Sequence, residues 1–217
     1  MLYLNDRLSE FDLDEALAQL SDQRREQALR FKHETGRRTC AAAYLLLCQG
    51  LREEYGITEK PVFEYGEHGK PFIVGHPDIH FNLSHCREAV ACYVSDHPVG
   101  IDIETIRPAK DSLLRYAMND SEVESILRSP NPPLAFTCLW TKKEALTKLT
   151  GRGLTNDLKD VLSQHPDVCI ETTVSQDVRY VYSIAFPILL LSSEHLQSAT
   201  CPTSSSTSTR PRKRGQI

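Results

Sequence analysis

A change of hydrophobic period at Gly56 constrains this chain more than any other feature. Upstream, "CAAAYLLLCQGLREEY" sustains a helical pattern that predicts one long helix over residues 34–55, ended by the glycine. Downstream, "VFEY", "PFIV", "IHFNLS", "AVACYVS" and "VGIDIE" are short runs of β-formers separated by Gly, Pro, Asp and His. They predict a meander of about five strands. Before the long helix, Leu13, Leu17 and Leu20 recur at helical spacing and Ser21 can cap a second turn, so 12–31 reads as one or two short helices. From residue 111 helices return. Ser121 with Glu124 forms a candidate capping box before "VESILRS". "NPP" at 131–133 is expected to open a helix that runs to about Thr150, with Gly151 past its end. Segments 168–174 and 179–191 read as strands. The order predicts an α+β protein, with no internal sequence repeat.

The 217 residues suffice for one large domain or two small ones, and a formal net charge of −4 leaves no global attraction to nucleic acid or to an acidic membrane. Any basic site must be local. The N-terminus carries acids within its first dozen residues, unlike a signal peptide, and no apolar run approaches the roughly 20 residues of a membrane span. The seven cysteines are odd in number and form no C-x-x-C pair, which argues against a zinc site or disulfide framework. Thiols in a reducing cytoplasm are the simpler expectation. From Ser192 the chain is rich in Ser and Thr and ends "RPRKRGQI", which reads as a solvated, disordered tail.

Within "VGIDIETIRP", a strand would place Val99, Ile101 and Ile103 on one face and Asp102 and Glu104 on the other, their Cα atoms roughly 7 Å apart. Either that face is wet, or something cationic sits between the acids. In "LWTKKEALTKLTGRGL", helical spacing puts Trp140, Glu144 and Lys148 on one face, with Lys143 about 100° round from Glu144. The plain alternative is a surface helix with an ordinary Glu–Lys pair. With Glu144 as a third carboxylate, the set suits octahedral Mg²⁺, and the lysines suit a polyphosphate. In "HFNLSHC", Asn82 and Ser84 alternate with Phe81 and Leu83, with His85 at the strand end. Ser84 and His85 can both donate to phosphate near a turn. "GEHGKP" carries Lys70, and "RREQALRFKHETGRR" holds Arg24, Arg25, Arg30, Lys32, Arg37 and Arg38. A solvated face is the alternative for that basic stretch.

Taken in order, "GKP", "FNLSH", "VGIDIE", W-x-x-K-E-A-x-x-K from Trp140 to Lys148, and "GRGL" resemble the 4'-phosphopantetheinyl transferases, in wording close to the surfactin type. The likeness covers roughly residues 20–160. It implies a pseudo-twofold pair of similar α/β halves, each a mainly antiparallel sheet packed on a long helix, with the active site between them. The halves would be 1–98 for coenzyme A and 99–191 for the metal and catalytic motifs, leaving 192–217 as tail. The implied reaction moves the phosphopantetheine arm of coenzyme A onto a serine of an apo acyl or peptidyl carrier protein and leaves 3',5'-ADP. By this resemblance Asp102, Glu104 and Glu144 match Mg²⁺ ligands, and Glu144 or a metal-bound water beside it is the candidate base. Lys143 and Lys148 match lysines near the pyrophosphate, Ser84 and His85 match phosphate contacts, and Lys70, Arg38 and Arg24 match basic residues of the coenzyme site. A cytoplasmic monomer is implied. The family's second basic position in the first helix falls on Gln27, and the sequence beyond about 187 departs from the family. Two rival readings are a Mg²⁺-dependent nucleotide phosphohydrolase and a non-catalytic protein that binds coenzyme A or a carrier on the same fold.

Overall fold

The computed structural model describes residues 1–10, 12–66, 68–151 and 158–188. The order is β1 (Leu2–Asn5), α1 (Leu13–Gln19), α2 (Asp22–Leu29), α3 (Glu34–Tyr55), β2 (Phe63–Tyr65), β3 (Pro71–Ile73), β4 (His80–His85), β5 (Val90–Ser95), β6 (Gly100–Thr105), α4 (Asp111–Ala117), α5 (Asp120–Arg128), α6 (Pro132–Thr150), β7 (Val168–Val174) and β8 (Tyr180–Pro187). The mixed α+β expectation holds. The long helices end where the glycines predict: Gly56 and Gly151 both take φ +68, the left-handed stop that glycine adopts without strain. Ser21 caps α2 through its side chain, and Asn131 caps α6 ahead of the two prolines.

Two three-stranded antiparallel sheets have the orders β1-β5-β4 and β6-β8-β7. Each half runs strand, long helix, hairpin, and in each the second hairpin strand sits in the middle of the sheet. The pseudo-twofold thus exists in topology without any repeat in sequence. Helix α3 covers the first sheet through Tyr44, Leu47 and Leu51, whose core includes Phe63 and Phe81. Helix α6 covers the second through Leu146 and Leu149, with Met118, Ile126 and Phe136 around it. A third cluster, with Ala91, Ile101, Ile103 and Ile184, joins the two sheets.

The single five-strand meander is corrected. Its runs divide among three sheets, because β2 and β3 pair only with each other and β6 pairs with β8, about eighty residues away. Strand β1 was not expected at all. It adds beside β5, with Leu2 opposite Tyr93. The capping box lies two residues earlier than expected: Asn119 and Glu122 satisfy each other's backbone N–H groups, and Ser121 donates to Asn119 instead. The six described cysteines are free thiols. No helix among the described residues is long and apolar enough to cross a membrane. The tail from 192 and most of "GRGL" lie outside the described residues.

Candidate active site

The two faces of β6 meet different neighbours. Val99, Ile101 and Ile103 enter the core between the sheets. Gly100, Asp102 and Glu104 face α6. A Cβ at Gly100 would lie 2.0 Å from the Ala145 carbonyl and 2.5 Å from the Leu149 nitrogen, so only a glycine lets the helix backbone rest on the strand. That contact lays the Trp140–Glu144–Lys148 face over the acids. Lys148 Nζ lies 2.7 Å from Asp102 Oδ1, and Trp140 Nε1 donates to Glu104 Oε1 at 3.4 Å. Asp102 is only 4% exposed. A cation therefore sits against Asp102, and the wet-face alternative is excluded for Asp102.

Charge in this seam does not balance locally. Three carboxylates face one ammonium. Asp102 Oδ2 and Glu144 Oε1 are buried with no hydrogen-bond partner among the described residues. Burial, then the negative charge of Asp102, push the Glu144 carboxyl up to about 7, against the pull of Lys148. Burial and Asp102 likewise raise Glu104. Among the described residues no three His, Cys, Asp or Glu side chains are gathered closely enough to cage an ion alone. Two orphaned carboxylate oxygens and a third acid beside them do fit a hard divalent cation that keeps waters and substrate oxygens in its shell.

The N-terminal half grips this seam from the other side. Ser84 on β4 donates to Asp102 Oδ1 at 2.9 Å and accepts from Lys148 Nζ at 2.8 Å and the Ile103 amide at 3.2 Å. Asn82, two residues earlier, accepts from the Ile101 amide at 2.9 Å. Lys70 Nζ donates to the carbonyls of Lys148, Leu149 and Val99 at 2.9, 3.1 and 3.4 Å, so its three donors are spent on the end of α6 and the entry to β6. Burial lowers its pKa.

Lys143 is a correction. It is fully buried and points away from the acids. Its ammonium binds Glu122 at 2.7 Å and the carbonyls of Ala117, Leu158 and Lys159. A cation enclosed by four acceptors cannot reach a pyrophosphate beside Lys148; one helical position turned it into the other side of the fold. Arg24 is also drawn inward. It donates to Gln27 and the Cys40 carbonyl and lies 6.0 Å from the Phe63 ring centre. Arg38 pairs with Glu34 at 2.7 Å and reaches the Leu8 carbonyl. Arg24, Arg37 and Arg38 of the basic stretch thus each have local partners.

Two cavities run from the carboxylates to the N-terminal half. One, of about 320 Å³, is walled by Thr35, Thr39, His85, Arg87, Glu104 and Arg107 among others. Burial, then Lys148 and Arg24, lower the His85 pKa. The other, of about 280 Å³, lies between Lys70, Asn82, Glu144, Thr147 and Lys148. Arg87 and Arg107 were missed from the sequence. The available signal was their position just beyond "SHC" and "DIE", where each strand leaves the seam.

Comparison with known proteins finds related chains. Residues 98–196 match the 4'-phosphopantetheinyl transferase superfamily. The chain is 31% identical over 157 residues to a 4'-phosphopantetheinyl transferase of Bacillus subtilis, covering 70% of each chain. It is 29% identical over 214 residues to the 4'-phosphopantetheinyl transferase psf-1 of Bacillus pumilus, covering 91% of each. A further similar protein is the L-aminoadipate-semialdehyde dehydrogenase-phosphopantetheinyl transferase of Saccharomyces cerevisiae, 27% identical over 130 residues, covering 52% of this chain and 48% of that one.

Proposed function

The chain belongs to the 4'-phosphopantetheinyl transferase family, in its surfactin-type branch, and on that premise we propose that it transfers the phosphopantetheine arm of coenzyme A to a serine of an apo acyl or peptidyl carrier protein. The observation that carries the site assignment is the pair of orphaned carboxylate oxygens on Asp102 and Glu144 with Lys148 beside them.

In the proposed reaction the carrier serine Oγ forms a bond to the phosphorus on the pantetheine side of the pyrophosphate. The bridging P–O bond breaks, and 3',5'-ADP leaves with the electron pair. The serine proton passes to Glu144 Oε1. Its orphaned oxygen has no protein hydrogen bond among the described residues to give up on accepting that proton. Lys148, whose donors rest on Asp102, the Ile101 carbonyl and Ser84, exchanges one of these bonds to offset the charge growing on the pyrophosphate oxygens. Asp102, Glu104 and Glu144 would hold Mg²⁺, which when bound neutralises the pyrophosphate as a Lewis acid. His85 takes the coenzyme end in the cavity it lines with Arg87 and Arg107; Arg38 and Arg24 are assigned to that end by the family likeness alone and would exchange their Glu34, Gln27 and Cys40 partners for phosphate. Residues 1–98 form the coenzyme-binding half and 99–191 the catalytic half. We place the protein in the cytoplasm, as a monomer.

Incubation with coenzyme A, Mg²⁺ and a panel of apo carrier proteins, read by intact mass, tests this. One carrier should gain a single phosphopantetheine on its serine. Release of 3',5'-ADP with no carrier modified would mean transfer to water instead. Coenzyme A binding with neither product would make the protein a binder.

A further inference from the structure

We propose that Arg87 is a specificity residue for the coenzyme and reads its 3'-phosphate. The proposal rests on the transfer reading above and adds a residue to it. The cavity of about 320 Å³ has walls from both halves. Glu104, Thr105 and Arg107, from β6 and the residues just after it, form the wall next to the carboxylates. Thr35, Gly36 and Thr39, from the first two turns of α3, belong to the N-terminal half. His85, Cys86 and Arg87 close the cavity at the end of β4. Coenzyme A brings two separate anionic groups to this space. Its reacting pyrophosphate must meet Lys148 and the carboxylates of Asp102 and Glu144. The 3'-phosphate stands one ribose away, so it falls in the part of the cavity walled by the N-terminal half.

Arg87 is held where that group arrives. It occupies a two-residue turn between β4 and β5, closed by the Cys86 amide donating to the Ala89 carbonyl at 2.9 Å. Glu88, the other turn residue, accepts from Thr105 Oγ1 and so pins the turn to β6. The Arg87 side chain is 85% exposed, and its ion pair with Glu88 is stretched to 3.9 Å. Among the described residues it makes no hydrogen bond that a ligand would have to displace, and its planar fork suits two phosphate oxygens at once. Arg24 and Arg38, by contrast, must each release a partner to take a phosphate. The same cavity receives the start of α3, whose N-cap His33 makes no side-chain hydrogen bond, so amides of the first turn remain open to an anion. Arg87 thus supplies mobile positive charge over a wall that already favours a phosphate.

Calorimetry on the full chain tests this with 3',5'-ADP and 5'-AMP, which differ only in the 3'-phosphate. Wild type should bind 3',5'-ADP the more tightly. Arg87→Ala should weaken 3',5'-ADP about fivefold to twentyfold and leave 5'-AMP within about twofold. With a carrier the protein modifies, the ratio of kcat/KM for coenzyme A to that for dephospho-coenzyme A should fall by the same factor. Arg87→Lys, a point charge in place of the fork, should recover only part of the loss. Equal weakening of both nucleotides would move Arg87 to the 5'-phosphate end and overturn the assignment. An effect confined to the KM of the carrier would place Arg87 on the protein partner and overturn it too, as would unchanged 3',5'-ADP affinity in Arg87→Ala. A wild type that binds coenzyme A yet modifies no carrier fails the transfer reading, and the two nucleotides still decide the role of Arg87.

Discussion

Gly100→Ala should be among the most damaging single-methyl additions in this protein. The new Cβ would fall 2.0 Å from the Ala145 carbonyl, 2.5 Å from the Leu149 nitrogen and 3.0 Å from the Leu149 Cα. All three are helix backbone, so no rotamer change relieves them. Helix α6 must retreat by about 1 Å or more to restore ordinary contact distances. Gly100 is not among the positive-φ residues, so the effect is steric and owes nothing to backbone conformation. Overpacking of this kind costs about 1–3 kcal/mol and occasionally more. With backbone on both sides, the upper end is expected, about 3 kcal/mol. In a protein of this length that is a fall in Tm of roughly 6–12 °C. The same retreat would stretch the 2.7 Å Lys148–Asp102 contact, so kcat should fall about a hundredfold even in the folded fraction. Gly50→Ala is the internal comparison. Its added Cβ would meet the Tyr3 ring and a Val94 methyl at 2.8 Å, side-chain atoms that can shift, so it should lose clearly less stability. Thermal scans by circular dichroism and single-turnover transfer assays measure both. A Gly100→Ala protein within 2 °C of wild type and fully active would refute the close approach of α6 to β6.

Lys143→Met should cost about 3–5 kcal/mol, because it leaves Glu122 and three carbonyls around a vanished cation; denaturant titration measures this, and the KM for coenzyme A should remain near wild type. Glu144→Gln should leave coenzyme A affinity within about tenfold by calorimetry and lower kcat by about 10²–10⁴ in single-turnover mass spectrometry. The same variant tests the seam's electrostatics in metal-free protein. Burial and Asp102 raise the Glu144 pKa from 4.5 to about 7 in the folded state, so folding retains a proton that the unfolded chain releases. Wild-type stability should therefore decline as pH rises from about 4.5 to 7, by about 1–2 kcal/mol after allowance for partial exposure. Glu144→Gln should flatten that decline in pH-dependent denaturation, and an unchanged slope would clear Glu144 of the burden. Arg38→Ala should raise the KM for coenzyme A more than that for the carrier. If dephospho-coenzyme A, which lacks the 3'-phosphate, suffers equally, Arg38 does not read that phosphate.

Local periodicity makes much of this protein legible in its sequence. The alternation in "VGIDIE" separates Ile101 and Ile103 from Asp102 and Glu104, and the two sets do enter different environments. The i, i+4, i+8 spacing of Trp140, Glu144 and Lys148 puts them on the face that meets those acids. Gly56 and Gly151 stop their helices where the chain says they should. These features depend on neighbours within a turn or two, which a sequence displays directly. Strand β1 escapes notice because four residues are too few to establish a period, and β6 is wrongly joined to the preceding strands because strand partners are chosen at long range. The fates of the lysines needed the tertiary structure for the same reason. Lys143 and Lys148 look alike along the helix, yet one is enclosed by α4, α5 and residues 158–159 while the other spans to Asp102. Lys70 and Ser84 carry the right chemistry for phosphate, but which acceptors and donors fill their valences is decided by how one half lies against the other. The duplicated topology is of this kind too: two halves can share strand order and helix placement with no sequence repeat, because packing asks for matching periods and lengths, and only contact distances show that Gly100 lets the α6 backbone rest on β6.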